Sequence, residues 1–266
     1  MRRAIVANRF YPGSKQTLAR EIDGYLETSQ RTPGKALAVV SPHAGYIYSG
    51  ALAAGTLAAV TIPESVIILG PNHHGRGAAI ALSATDWQTP LGVVPVDQTL
   101  IDLLLELGPM VEVDETAHAA EHSLEVQLPF LQRLQPHLKI VPLVLSQLSF
   151  AECQALAASL AAAISAAGGD HLLVASSDMS HYESREAASR KDHLALAAIA
   201  AMDAEALYRT VFSERISMCG VIPVVVAILA AQRLGAEHAE LIGYTDSGYV
   251  TGDSQQVVGY AGVVIG

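Results

Sequence analysis

Short β-branched runs, Val66-Ile67-Ile68-Leu69 among them, alternate along the chain with longer alanine- and leucine-rich segments. Short apolar runs bounded by turn residues fit strands covered on both faces, and the longer segments fit the helices that cover them. This is the sequence form of stacked β-α units, so the expected class is α/β: a mainly parallel or mixed sheet flanked by helices. Strands are expected near residues 36–41, 66–69, 78–82, 139–145, 171–176, 239–244 and 257–265. Helices are expected over 15–28, 49–59, 98–107, 121–134, 150–167, 185–202, 204–212 and 220–234. No long Pro/Gly/Ser linker and no repeat of 20 to 50 residues interrupts the pattern, so residues 1–266 read as a single domain.

Composition excludes several functions. With 16 basic against 26 acidic side chains the net charge is −10, which argues against a nucleic-acid partner. Hydrophobic residues at 51% and charged ones at 16% are the balance of a compact chain, which needs neither disulfides nor a structural metal for its core. The two cysteines, Cys153 and Cys219, build no disulfide framework, and no secretory signal opens the sequence, so a cytoplasmic protein is expected. The most apolar stretches, 221–231 and 257–266, are too short to span a bilayer, so no membrane segment is expected.

Histidines cluster where strands are expected to end. Ser41-Pro42-His43-Ala44-Gly45-Tyr46 follows the first strand and Gly70-Pro71-Asn72-His73-His74-Gly75 the second. The 30 residues from His43 to His73 fit one β-α-β step, which predicts neighbouring loops at the carboxyl edge where α/β sheets bind ligands. A third strand runs into Ser177-Asp178-Met179-Ser180-His181, where a helical turn would let Asp178 orient His181 for proton transfer; an N-cap role for the Asp or Ser carries equal weight. Cys219, just ahead of an apolar helix, has the position of an easily ionised thiol. His118-Ala119-Ala120-Glu121-His122 matches a short zinc-protease pattern weakly, and the alternative is that Glu121, His122 and Glu125 open a helix bordering the crevice.

Taken in order, Pro42-His43-Ala44-Gly45-Tyr46, Gly70-Pro71-Asn72-His73-His74, Glu121-His122-Ser123-Leu124-Glu125, Ser176-Ser177-Asp178 with His181, and Cys219-Gly220 with Pro223 resemble the Memo family over essentially the whole length. The series is also similar to protein B of the AmmeMemoRadiSam group. The resemblance implies a fold like that of the LigB-like class III extradiol dioxygenases, which hold non-haem iron on two His and one Glu. Carried over by motif, His43 and His73 would be metal ligands, Cys219 would take the third position and His181 would be the acid/base. Phe10 and Tyr11 would wall the pocket, with Tyr46, His74, Glu121 and His122 around it. A thiolate in place of the carboxylate departs from the iron pattern and favours softer ions, so iron or copper is expected, with zinc also compatible.

Three functions follow as expectations. The first is a metal-dependent redox enzyme acting on a small chelating molecule, with Asp178 and His181 moving protons. The second is a catalytically degenerate cleft that binds a peptide or a partner protein, other AmmeMemoRadiSam components included. The third is a zinc hydrolase on the same ligands.

Overall fold

A computed structural model describes residues 1–29 and 31–266. Its strands are β1 (Ala38–Ser41), β2 (Ser65–Pro71), β3 (Ile80–Leu82), β4 (Trp87–Thr89), β5 (Gly92–Val94), β6 (Glu112–Val113), β7 (Lys139–Leu145), β8 (His171–Ser176), β9 (His181–Glu183), β10 (Ala239–Asp246) and β11 (Val257–Ile265). Its helices are α1 (Lys15–Glu27), α2 (Tyr46–Ala58), α3 (Gln98–Leu107), α4 (Glu115–His118), α5 (Leu128–Leu134), α6 (Phe150–Ala167), α7 (Arg185–Ala200), α8 (Ala204–Ser213), α9 (Val221–Arg233) and α10 (Gly248–Thr251).

The main sheet runs β10-β11-β1-β8-β2-β7-β3-β6, with β9 paired to β11. Its centre, β1-β8-β2-β7, is parallel, while β11 and β3 pair antiparallel at its two sides. Side chains alternate between two cores: Ala38 and Val40 enter one while Val39 enters the other, and Ile67 and Leu69 likewise oppose Val66 and Ile68. Helices α3, α6, α7, α8 and α9 supply the first core, and α1, α2 and α5 the second. The expected α/β class and flanked, largely parallel sheet are those observed.

Three expectations change. The loops after β1 and β2 do meet, but the strands are not neighbours: β8 lies between them, so its own terminal loop is brought into the same place. The expected helix over 121–134 begins only at Leu128, after a 3-10 turn over Glu125–Gln127. The reason is Glu121, whose carboxylate accepts the N–H groups of His122 and Ser123 at 3.0 and 2.9 Å and fixes a turn there. Finally, α6 has 18 residues and a mean hydropathy of 1.4, long and apolar enough by composition to cross a bilayer, which the two stretches read from sequence are not. Here its Cys153, Leu156, Leu160 and Ile164 face is buried in the first core, packed on α9 and α3.

Candidate metal centre

The carboxyl ends of β1, β2 and β8 deliver the site. His43, His73 and His122 each offer a ring nitrogen, and these nitrogens lie within 4.8 Å of one another. The His43 ring meets His73 and His122 edge-on at 5.3 and 5.4 Å, and His73 stacks on His122 at 4.7 Å. Among the described residues this is the one such cluster of metal-ligating side chains.

Hydrogen-bond chemistry fixes which nitrogens are free. His73 Nδ1 lies 2.8 Å from Glu121 Oε1, and a carboxylate only accepts, so Nδ1 carries a hydrogen and Nε2 is the nitrogen left for a ligand role. A carboxylate behind a histidine is the usual support of a metal-bound imidazole. Burial raises a carboxyl, but the His73 hydrogen bond and charge together with the Ser123 N–H hold Glu121 well below the usual range. Burial, with His122 and His73 alongside, pushes His43 well below its usual value, and burial takes His122 down to about 4. The neutral His43 and His122 rings keep their lone pairs for a cation. The donor set, its supports and the neutral rings therefore fit a metal ion.

Glycine permits this convergence at two points. A Cβ on Gly70 would overlap Leu124 Cδ1, so the smallest residue lets the loop of Glu121 and His122 lie against β2. A Cβ on Gly220 would overlap Ser176 O, and its absence brings Cys219 against the end of β8.

Cys219 Sγ lies 3.3 Å from His43 Nε2 and accepts the Asp178 N–H at 3.2 Å. The sequence suggested an easily ionised thiol; instead burial of the sulfur and the nearby Asp178 carboxylate push it well above the usual range. The helix-terminus effect is outweighed because low-dielectric surroundings and a like charge both oppose the thiolate.

The expected Asp178–His181 pair is not formed by a helical turn. Residues 177–180 are irregular, Met179 N–H donates to Gly259 O, and His181 enters β9 opposite Val258. Sheet pairing removes the geometry that would place positions 178 and 181 on one face. Asp178 Oδ1 instead accepts the His43 N–H at 2.8 Å, and burial raises its carboxyl to about 6. His181 Nδ1 lies 2.8 Å from Met179 O and 3.0 Å from Ser217 O. Both partners are carbonyls, so Nδ1 carries a hydrogen and Nε2 is the ring nitrogen free of them.

Of the expected pocket walls, Phe10 packs on His122 with ring centres 4.7 Å apart, and His74 is exposed beside His73. Tyr11 and Tyr46 sit behind the cleft: Tyr11 Oη donates to Glu125 at 2.6 Å, and Tyr46 Oη donates to Val126 O and stacks on Phe130. The zinc-protease reading fails geometrically. His118 is buried in α4, where its Nε2 lies 3.1 Å from Ala81 O, and it is outside the cluster that holds His122. His122 itself lay among the expected pocket residues; that its ring joins the cluster depends on a turn without helical or strand periodicity.

Two sizeable cavities lie elsewhere. One of about 830 Å³ is lined by Lys15, Arg133 and Lys139, and one of about 580 Å³ by Leu37, Ile164 and His171. Neither contains the converging imidazoles, so chemistry rather than volume locates the site.

Comparison with known proteins agrees along the whole chain. Residues 2–264 match the Memo-like protein family. A MEMO1 family protein of Aquifex aeolicus is 41% identical over 99% of this chain and 98% of its own length. A MEMO1 family protein of Methanosarcina barkeri is 36% identical over 100% of both, and one of Ignicoccus hospitalis 41% identical over 97% of this chain and 96% of its own. The chain belongs to the Memo-like protein family.

Proposed function

We propose that the protein is a non-haem metal-dependent oxidoreductase, related in chemistry to the class III extradiol dioxygenases, that holds one iron or copper ion on His43 and His73. The observation that carries this reading is the convergence of three imidazoles, one of them backed by a buried carboxylate. The third donor is His122 or Cys219: His122 completes the nitrogen cluster, while the Cys219 sulfur is in contact with His43. A bound iron or copper ion would supply electron transfer and would polarise a chelating substrate.

The protein's own groups supply the rest. His181 Nε2 accepts a proton from substrate and returns it, because Nδ1 is committed to Met179 O and Ser217 O. Asp178 holds the His43 loop by its backbone N–H. Phe10 covers one side of His122 and narrows access of water.

The all-imidazole set also favours a second reading, a zinc hydrolase, because three histidines with an open position are a donor set of catalytic zinc. Metal analysis of anaerobically purified protein decides between them. Near-stoichiometric iron or copper supports the oxidoreductase, and zinc alone supports the hydrolase. In parallel, His122→Ala and Cys219→Ser identify the third ligand as whichever variant loses the ion. No ion in the wild type, and none acquired on titration, sinks both readings and leaves a peptide-binding cleft.

A further inference from the structure

Gln127 is fully buried at the end of the 3-10 turn and reaches under the site toward the ends of β1 and β8. Its Nε2 lies 2.9 Å from Pro42 O, 3.3 Å from Ser41 O and 2.9 Å from Ser176 Oγ. Carbonyl oxygens only accept, so the amide orientation is fixed: one hydrogen goes to the Ser41 and Pro42 carbonyls and the other to Ser176. Ser176 is also fully buried, and its single hydrogen goes to Ser123 O at 2.7 Å. Both directions being set, the remaining neighbour of Ser176 Oγ has to be a donor. That neighbour is His43 Nδ1, at 2.9 Å.

We propose that Gln127 and Ser176 are positioning residues that hold His43 as its Nδ1–H tautomer, leaving Nε2 as the atom that faces Cys219 and the imidazole cluster. The tautomer follows from a chain of hydrogen bonds whose polarity is dictated at both ends by backbone carbonyls. Among the described residues Gln127 Oε1 has no partner, although it is buried. A glutamine kept for packing alone would be improved by an apolar residue, since its orphaned oxygen costs desolvation. What the position retains is the donor. The same chain ties together the ends of β1 and β8 and the loop of Glu121 and His122, so it sets the histidine tautomer and the spacing of the site segments at once.

The role of the tautomer in ion binding rests on the proposed metal site, but the tautomer itself is testable without any ion. In metal-free wild type, long-range ¹H–¹⁵N correlation of the His43 ring is expected to show the Nδ1–H form. Ser176→Ala removes the acceptor, and Gln127→Met keeps the bulk but removes the donor that holds Ser176 Oγ against the ends of β1 and β8, so the hydroxyl loses its place opposite Nδ1. Both are expected to give a mixture with substantial Nε2–H, and zinc affinity by chelator competition is expected to fall roughly 10- to 100-fold. Ser176→Thr, which keeps the hydroxyl, is expected to restore the wild-type ring signals. A purely structural role would lower the thermal midpoint without changing the tautomer. An Nε2–H ring in the wild type, or unchanged ring signals in both variants, overturns the proposal. A tautomer that responds as expected in a protein that binds no zinc at all overturns the metal reading and leaves this one standing.

Discussion

Glu121 Oε1 lies 2.8 Å from His73 Nδ1, while its Oε2 accepts the His73 backbone N–H at 2.8 Å. One fully buried carboxylate thus fixes both the ring and the backbone of a candidate ligand, and its bonds to His122 and Ser123 fix the loop of another. The side chain that makes the loop irregular is the one that aims the two imidazoles.

Glu121→Gln keeps the shape but replaces one acceptor oxygen by an NH₂ group facing donors. Zinc affinity is expected to fall roughly 10- to 100-fold, and stability by about 1–3 kcal/mol. Chelator competition and urea denaturation measure the two effects; unchanged affinity would remove Glu121 from the support of the site.

Arg2 pins the N-terminal segment beneath the site, pairing with Glu125 at 2.7 Å, donating to His118 O, and lying 3.9 Å over the Trp87 ring. Arg2→Ala leaves the buried Glu125 carboxylate without its cation, held only by Tyr11 Oη and the Ile5 and Val6 N–H groups, and is expected to cost about 3–5 kcal/mol. A loss below 1 kcal/mol in denaturant titration would show that the pair does not hold the segment.

Gly220→Ala places a Cβ against Ser176 O and Ser177 Cβ, so the backbone has to retreat and carry Cys219 with it. A destabilisation of about 1–3 kcal/mol is expected, with faster alkylation of Cys219 as the thiol leaves His43. Cys153, fully buried in α6, is the internal control for global opening.

Burial lowers His118 from 6.5 to about 4. Above pH 6.5 both folded and unfolded chains carry it neutral, and as the pH falls from 6.5 to 4 the unfolded chain takes up the proton first. Stability is therefore lost across that window, by about 3 kcal/mol from this residue. His118→Gln, which can still donate to Ala81 O, is expected to flatten that part of the stability profile between pH 7.5 and 4.5 and to leave metal content unchanged. Loss of metal in this variant would return His118 to the site.

The fold was legible where periodicity carries it. Val66–Leu69, Lys139–Leu145 and His171–Ser176 are continuous apolar runs because both faces of the sheet are covered, and α1, α3, α6 and α8 have bounds close to those expected because caps such as Ser149 and Asp203 act locally. His43, His73 and Cys219 stood out because they directly follow strands or precede a helix. The start of α5, the course of the chain from Asp178 to His181, and the inclusion of His122 were not legible, since each depends on a partner remote in sequence.

Sequence alone determined the α/β class, the family, and the loops that carry the chemistry, because strand and helix periods and loop motifs are properties of neighbouring residues. Only the tertiary structure decided that β8 lies between β1 and β2, that Glu121 aims His73, and that His122 joins the imidazole cluster. It also decided that Asp178 serves His43 and that burial and the Asp178 carboxylate raise the Cys219 thiol. Those outcomes arise from burial and from hydrogen bonds spanning 48 to 135 positions, whose donors and acceptors acquire partners only when the sheet has formed.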